Sequence, residues 1–208
     1  LARDQLLHRD VAVKIVMTRK LLPGNDLQAA LTRDARLAAS LNHRGIAMVY
    51  DFGYHAGKSF TVFEYVEGQT LRNMLKECGK LSRDTVRSLV RELAEALDVA
   101  HAGGVIHQDL KPENICITHS GQPKILDFGV ARDLSRDFES RGFCGTPQYA
   151  SPEQAAGSAT DGRTDQYALG LLVYEMLSGR QAFVSADPLQ LLQMHRGQSP
   201  ESLATLCS

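Results

Sequence analysis

The string His-Gln-Asp-Leu-Lys-Pro-Glu-Asn at 107–114, with Asp-Phe-Gly at 127–129, gathers carboxylates, an ammonium and an amide into a short length of chain. Phosphoryl transfer asks for such a set, because it needs in-line positioning, metal ions across the phosphates and a group to receive or orient the hydroxyl proton. Asp109 is the candidate base. Lys111, two residues on, lies on the same side of an extended loop and can neutralise charge on the travelling phosphoryl group. Pro112 stiffens that loop, Asn114 offers a neutral amide oxygen suited to Mg²⁺, and Asp127 offers a carboxylate for the main metal. A lone Asp or Asn in a loop is ordinarily a turn former. The combination with Gly145-Thr146-Pro147 and Ser151-Pro152-Glu153 further along is what points to chemistry.

Those residues need a scaffold, and the hydrophobic pattern supplies one in two parts dividing at about 67–70. Before the division the chain reads as short strands around one helix; after it, mostly as helices. In Val11-Ala-Val-Lys-Ile-Val16, Val11, Val13 and Ile15 share one face and Ala12, Lys14 and Val16 the other. A lysine in an otherwise apolar strand needs a partner. The helix expected near Asn25–Asn42 carries Leu27, Leu31, Ala38 and Leu41 on one stripe, with Asp34 on it, so Lys14 and Asp34 read as an ion pair. Further strands are expected at Ile46–Gly53 and Ser59–Val66. A long helix follows from Ser82, its cap, to Ala102, and a second apolar helix runs from about Asp165 to Leu177. Asp165 reads either as a simple cap or as an acceptor for backbone N–H groups.

With these motifs in order, the chain resembles the eukaryotic-type protein kinases, most of all the bacterial serine/threonine kinases, from residue 1 to about residue 195. The resemblance implies an α+β bilobal fold: a small antiparallel β N-lobe with one main helix (1–66), a hinge (67–70) and a larger, mainly helical C-lobe (71–208). It implies ATP and Mg²⁺ as cofactors and proteins with Ser/Thr acceptors as substrates. Lys14 is then the strand lysine on the ATP phosphates and Asp34 stands where the family has the pairing glutamate, one methylene longer. Glu64 and Val66 become the hinge positions whose backbone meets the adenine edge. Phe63 guards the back of the pocket, Ala12 forms its roof and Cys116 its floor. Asn114 and Asp127 are the metal ligands, and Thr146 bonds Asp109 and Lys111 to define a serine/threonine acceptor site.

Three departures from the family pattern stand out. The first residues resemble the end of the second strand, so a glycine-rich phosphate loop is not in the sequence, and a truncated or pseudokinase binding module without catalysis is the alternative reading. Gln108 replaces the arginine that commonly docks an activation-loop phosphate, so phosphorylation at Ser135 or Ser140 is not expected to be required. The late helix whose arginine pairs with Glu153 is also not in the sequence, which leaves that carboxylate expected to be hydrated or protonated. Small-molecule phosphotransferases of the same fold share the Asp and Asn spacing, but the Gly-Thr-Pro-x-Tyr and Ser-Pro-Glu shelf suits peptide acceptors.

Composition narrows the class further. With 208 residues, 43% hydrophobic, 23% charged and a net charge of −1, the sequence fits a two-lobed enzyme domain and excludes nucleic-acid binding through a basic surface. Its longest apolar run, Ala168–Val173, is too short to span a bilayer, and nothing at the start reads as a secretory signal. The four cysteines lack metal or disulfide spacing. A cytoplasmic location is expected, or the cytosolic face of a membrane for a parent protein with a transmembrane segment.

Overall fold

A computed structural model of the chain describes residues 1–16, 32–33, 35–56, 58–128 and 145–206. Strands β1 (Ala2–Asp4), β2 (Arg9–Val16), β3 (Val49–His55) and β4 (Lys58–Glu64) form an antiparallel sheet in the order β1-β2-β4-β3. Its alternation follows the sequence pattern, but the apolar face of β2 is only partly covered. Val11 is buried, whereas Val13 and Ile15 are exposed and Lys14 turns toward the interior of the molecule. Helix α1 is described at residues 32–33 and 35–39, and Ala35 and Ala38 are buried there. Asp34 and most of the expected 25–42 helix lie outside the described residues.

The second layer is a three-stranded sheet, β5 (Gly68–Thr70), β6 (Ile115–Thr118) and β7 (Pro123–Ile125), in the order β5-β6-β7. Gly68 is required where β5 meets β6, because a Cβ there would sit 2.1 Å from the Ile117 carbonyl oxygen. Around this sheet stand α2 (Leu71–Cys78), α3 (Arg83–Ala102), α4 (Pro152–Ala155), α5 (Gly162–Ser178), α6 (Pro188–Gly197) and α7 (Leu203–Leu206). Ser82 caps α3 as expected, its Oγ accepting from the Thr85 N–H at 3.1 Å. The α3 stripe of Val86, Leu89, Leu93, Ala96, Leu97 and Ala100 is buried in one core that also holds Phe63, Ile115, Ile125, Phe128, Leu172 and Met176. The result is the expected α+β, two-lobed arrangement.

Two boundaries differ from the sequence reading for physical reasons. The strand expected from Ile46 begins at Val49, because Ile46 pairs in parallel with Ile125 of the other sheet. Helix α5 begins at Gly162, with Asp161 as its cap accepting from the Arg163 N–H at 2.9 Å. Asp165 is therefore inside the first turn and is not the cap.

Buried polar residues are few, and His195 on α6 is one of them, 4% exposed. Burial holds its pKa below the ordinary 6.5, outweighing the pull of the Pro147 and Gln148 main chain in the other direction. Below that ordinary value the unfolded chain binds a proton that the native imidazole refuses, so the unfolded state carries more protons and stability rises with pH. The contribution is full above about pH 6.5 and is lost as pH falls toward and through the lowered native value. Melting temperatures between about pH 7.5 and about pH 5.5 check this. The fall on acidification is expected to be shallower in His195→Gln than in the parent, and parallel curves would contradict it.

Candidate active site

Two residues near the β6–β7 hairpin are brought together by its register. Ile115 pairs with Ile125, and the Leu126 N–H donates to the Asn114 carbonyl at 2.8 Å, so Asn114 and Asp127 stand side by side at one end of the hairpin. Just before Asn114 the catalytic loop is held from beneath by Asp165, which is fully buried. Its Oδ2 accepts from the His107 N–H and from His101 Nε2, each at 2.8 Å, and its Oδ1 accepts from the Gln108 N–H at 2.8 Å. Of the two readings open for Asp165, the structure shows the backbone acceptor.

His107 links the two halves of the site. Its Nε2–H donates to the Leu126 carbonyl at 2.9 Å and its Nδ1 accepts from the Asp109 N–H at 3.2 Å, while its ring meets that of Phe128 edge-on at 4.9 Å. Gln108 and Asp127 both take left-handed backbone angles, φ 65° and 61°, which costs on the order of 1–3 kcal/mol for such residues and persists only where the surroundings enforce it. Gln108 is fixed by Asp165, by Gln154 Nε2 donating to its carbonyl at 2.7 Å, and by its own Nε2 donating to Thr160 Oγ1 at 3.1 Å.

The resulting cluster is tight. Asp109 Oδ2 accepts from Lys111 Nζ at 2.6 Å and its Oδ1 from Thr146 Oγ1 at 2.7 Å, and Lys111 also donates to Thr146 Oγ1 at 2.7 Å. Asn114 spends its Nδ2 on the Asp109 carbonyl at 2.8 Å and on Asp109 Oδ2 at 3.3 Å. That fixes the orientation of the amide and leaves its oxygen as the group able to face a cation. Lys14 Nζ lies 3.2 Å from Asp127 Oδ2, so among the described residues its ion pair is with the aspartate expected to hold metal. The expected Lys14–Asp34 pair lies outside the described residues, as do Cys144, Ser135 and Ser140.

The slot between the sheets carries the remaining positions. Ala12 on β2 pairs with Phe63 on β4, which is buried, and Glu64 and Val66 follow where the chain crosses between the sheets. Cys116 is buried, with its Sγ 3.8 Å from the Val66 carbonyl, and burial pushes its thiol pKa up. Glu64 also has a side-chain role that was not legible in the sequence. Its carboxylate bridges the Met48 N–H at 3.2 Å and Lys124 Nζ at 2.5 Å, clamping the crossing to β7. Glu153 accepts a hydrogen bond from the Thr164 hydroxyl. Burial works against its charge, but the Thr164 hydroxyl at 2.6 Å, its own backbone N–H and the Ser151 hydroxyl outweigh this and lower its pKa.

The family model described as the protein kinase domain matches residues 1–205. The chain belongs to the protein kinase domain family. It is 38% identical over 207 residues to the serine/threonine-protein kinase PknB of Mycobacterium leprae, covering 96% of this chain and 33% of that protein. It is also 39% identical over 208 residues to a probable serine/threonine-protein kinase PknB of Bifidobacterium longum, covering 93% of this chain and 30% of that protein. The chain thus spans about a third of the length of these relatives.

This kinase domain contains a partly buried ionic network that sequence reading missed. Arg72 at the start of α2 donates Nε to Glu113 of the catalytic loop at 2.7 Å, one terminal nitrogen to Glu175 of α5 at 2.6 Å and the other to the Tyr149 hydroxyl at 2.6 Å. Tyr149 in turn donates to Glu175 at 2.5 Å. Burial opposes the Arg72 charge, yet the Glu113 and Glu175 carboxylates outweigh it and raise its pKa, while burial and Glu175 together keep Tyr149 protonated as the donor. The network ties Tyr149 to Glu113, in the loop after Asp109, and to α5. Its signal was present as Glu175, an acid within the apolar run Leu171–Leu177. No helix among the described residues is long and apolar enough to cross a membrane.

Proposed function

We propose that this kinase domain transfers the γ-phosphoryl group of ATP, with Mg²⁺, to serine or threonine hydroxyls of protein substrates. The single observation that carries the reading is the Asp109 carboxylate, held at 2.6 Å by Lys111 and at 2.7 Å by Thr146 beside the Asn114 amide. The relatives' names, serine/threonine-protein kinase, agree with it.

The donor set fits the metal. It is one carboxylate, Asp127, and one amide oxygen, Asn114, side by side at the end of the β6–β7 hairpin. Mg²⁺ is commonly bound through one or two protein oxygens with water and substrate phosphates completing its shell. When bound, Mg-ATP supplies the phosphoryl group and its charge neutralisation. Lys14, which pairs with Asp127 at 3.2 Å, would be the cation for the phosphates of bound nucleotide. Ala12, Phe63 and Cys116 enclose the base, and the backbone of Glu64 and Val66 reads its edge. Asp34, which lies outside the described residues, is the proposed second partner of Lys14. Asp109 orients the acceptor hydroxyl and takes its proton, Lys111 offsets charge on the transferring group, and Thr146 limits the acceptor to short hydroxyl side chains.

The experiment is phosphate transfer to a serine/threonine peptide by the intact protein under metal control. Chelation is expected to abolish transfer and added Mg²⁺ to restore it, with Asp127→Asn needing roughly tenfold or more extra Mg²⁺ for half-activity. Transfer that survives chelation, or an unchanged Mg²⁺ requirement in Asp127→Asn, would contradict the assignment.

A further inference from the structure

Among the described residues, the only buried side-chain nitrogen or oxygen without a hydrogen-bond partner is Nε2 of His195. Native proteins rarely leave such an atom unanswered. The other ring nitrogen is engaged, with Nδ1 3.0 Å from the Tyr167 hydroxyl, and the ring is wedged edge-on against Phe183 at 4.8 Å and Tyr167 at 5.8 Å. The imidazole is therefore clamped in orientation while one polar edge goes unused.

The helix that carries the ring lies against the acceptor shelf. Helix α6 packs on the 3₁₀ turn Pro147–Tyr149, and the main chain of Pro147 and Gln148 acts on the His195 ring. Both ends of the turn are anchored: Thr146 bonds Asp109 and Lys111, and Tyr149 is locked by Arg72 and Glu175. The middle is less committed. The Pro147 carbonyl takes a long contact, 3.5 Å from the Ala150 N–H, and so keeps acceptor capacity.

We propose that His195 is a positioning residue for the acceptor peptide: its Nε2–H closes on the Pro147 carbonyl when a peptide is seated over the turn, fixing the depth of the shelf relative to Asp109. The inference rests on the reading of residues 145–149 as a peptide shelf. It uses the neutral imidazole with its proton on Nε2 and Nδ1 accepting from Tyr167. His195 touches neither nucleotide nor reacting atoms, so its effect belongs to peptide binding.

Steady-state kinetics of the intact protein with Mg-ATP and a serine/threonine peptide test it. His195→Phe keeps the ring and its wedge but removes both nitrogens, and is expected to raise the peptide KM about tenfold, with kcat and the ATP KM within about twofold. His195→Gln, which retains a donor, is expected to recover much of the loss. In the parent, the ¹⁵N–H resonance of His195 Nε2 is expected to shift when peptide is added, a readout independent of any variant's folding. An unchanged peptide KM in His195→Phe, equal changes in the peptide and ATP constants, or a resonance indifferent to peptide would each overturn the role of His195. A parent that transfers no phosphate to any peptide would instead overturn the shelf reading, and this inference with it.

Discussion

Asp109→Asn is expected to lower phosphate transfer to a serine or threonine peptide by roughly 10²–10⁴-fold while leaving Mg-ATP affinity nearly unchanged. The carboxylate now accepts from Lys111 on one oxygen and from Thr146 on the other. An amide would turn an NH₂ toward one of those donors, lose the charge that pairs with Lys111, and have no capacity to take a proton. Asn114 keeps its 2.8 Å bond to the Asp109 carbonyl, and the Lys14–Asp127 pair does not involve the Asp109 side chain, so the loss should fall on kcat. Turnover and nucleotide binding measured side by side check it. Turnover near that of the parent would remove Asp109 from the mechanism, and a parallel loss of nucleotide affinity would give it a binding role.

Arg72→Met is expected to be the most destabilising single change outside the apolar core. Arg72 is 18% exposed and Glu175 7%, and the guanidinium answers Glu175, Glu113 and the Tyr149 hydroxyl together. Removing one partner of a buried pair leaves an uncompensated charge and costs about 3–5 kcal/mol. For a domain of this size that is a drop of roughly 10 °C in melting temperature. Because Tyr149 sits at the end of the turn after Thr146, peptide phosphorylation should fall even where the variant remains folded. The double variant Arg72→Met/Glu175→Gln should recover part of the stability, since the stranded charge goes with it. Thermal melts of the set decide this, and a single variant as stable as the parent would show that the network contributes nothing net.

The legible parts of the molecule were those where a local rule and the tertiary structure agree. Helix α3 could be read because Ser82, a 3.6-residue apolar stripe and Gly103 all point the same way. Asp109, Lys111 and Asn114 were expected from the 107–114 string and Thr146 from the resemblance to the family, and the structure brings those four side chains within hydrogen-bond reach. What was missed was side-chain pairing across long sequence separations. The logic used for Lys14, that a charge in an apolar element needs a partner, applied equally to Glu175 in α5 and Lys124 in β7. Their partners Arg72 and Glu64 lie 103 and 60 residues away. Helix α5 was begun too late because its apolar pattern starts after the cap, and Asp161 was the better N-cap signal. Strand β3 was begun too early because Ile46, though apolar, is claimed by Ile125 of the other sheet.

The central claim, that the Asp109–Lys111–Thr146 cluster serves serine and threonine hydroxyls, is tested most directly by the identity of the phosphorylated residue. The intact protein is incubated with Mg²⁺ and γ-labelled ATP on peptides matched except for a serine, threonine or tyrosine acceptor, and the products are separated as phosphoamino acids. Phosphoserine and phosphothreonine, without phosphotyrosine, and both lost in Asp109→Asn, are the result this account predicts. Label on tyrosine, or serine and threonine labelling that persists in Asp109→Asn, would contradict it.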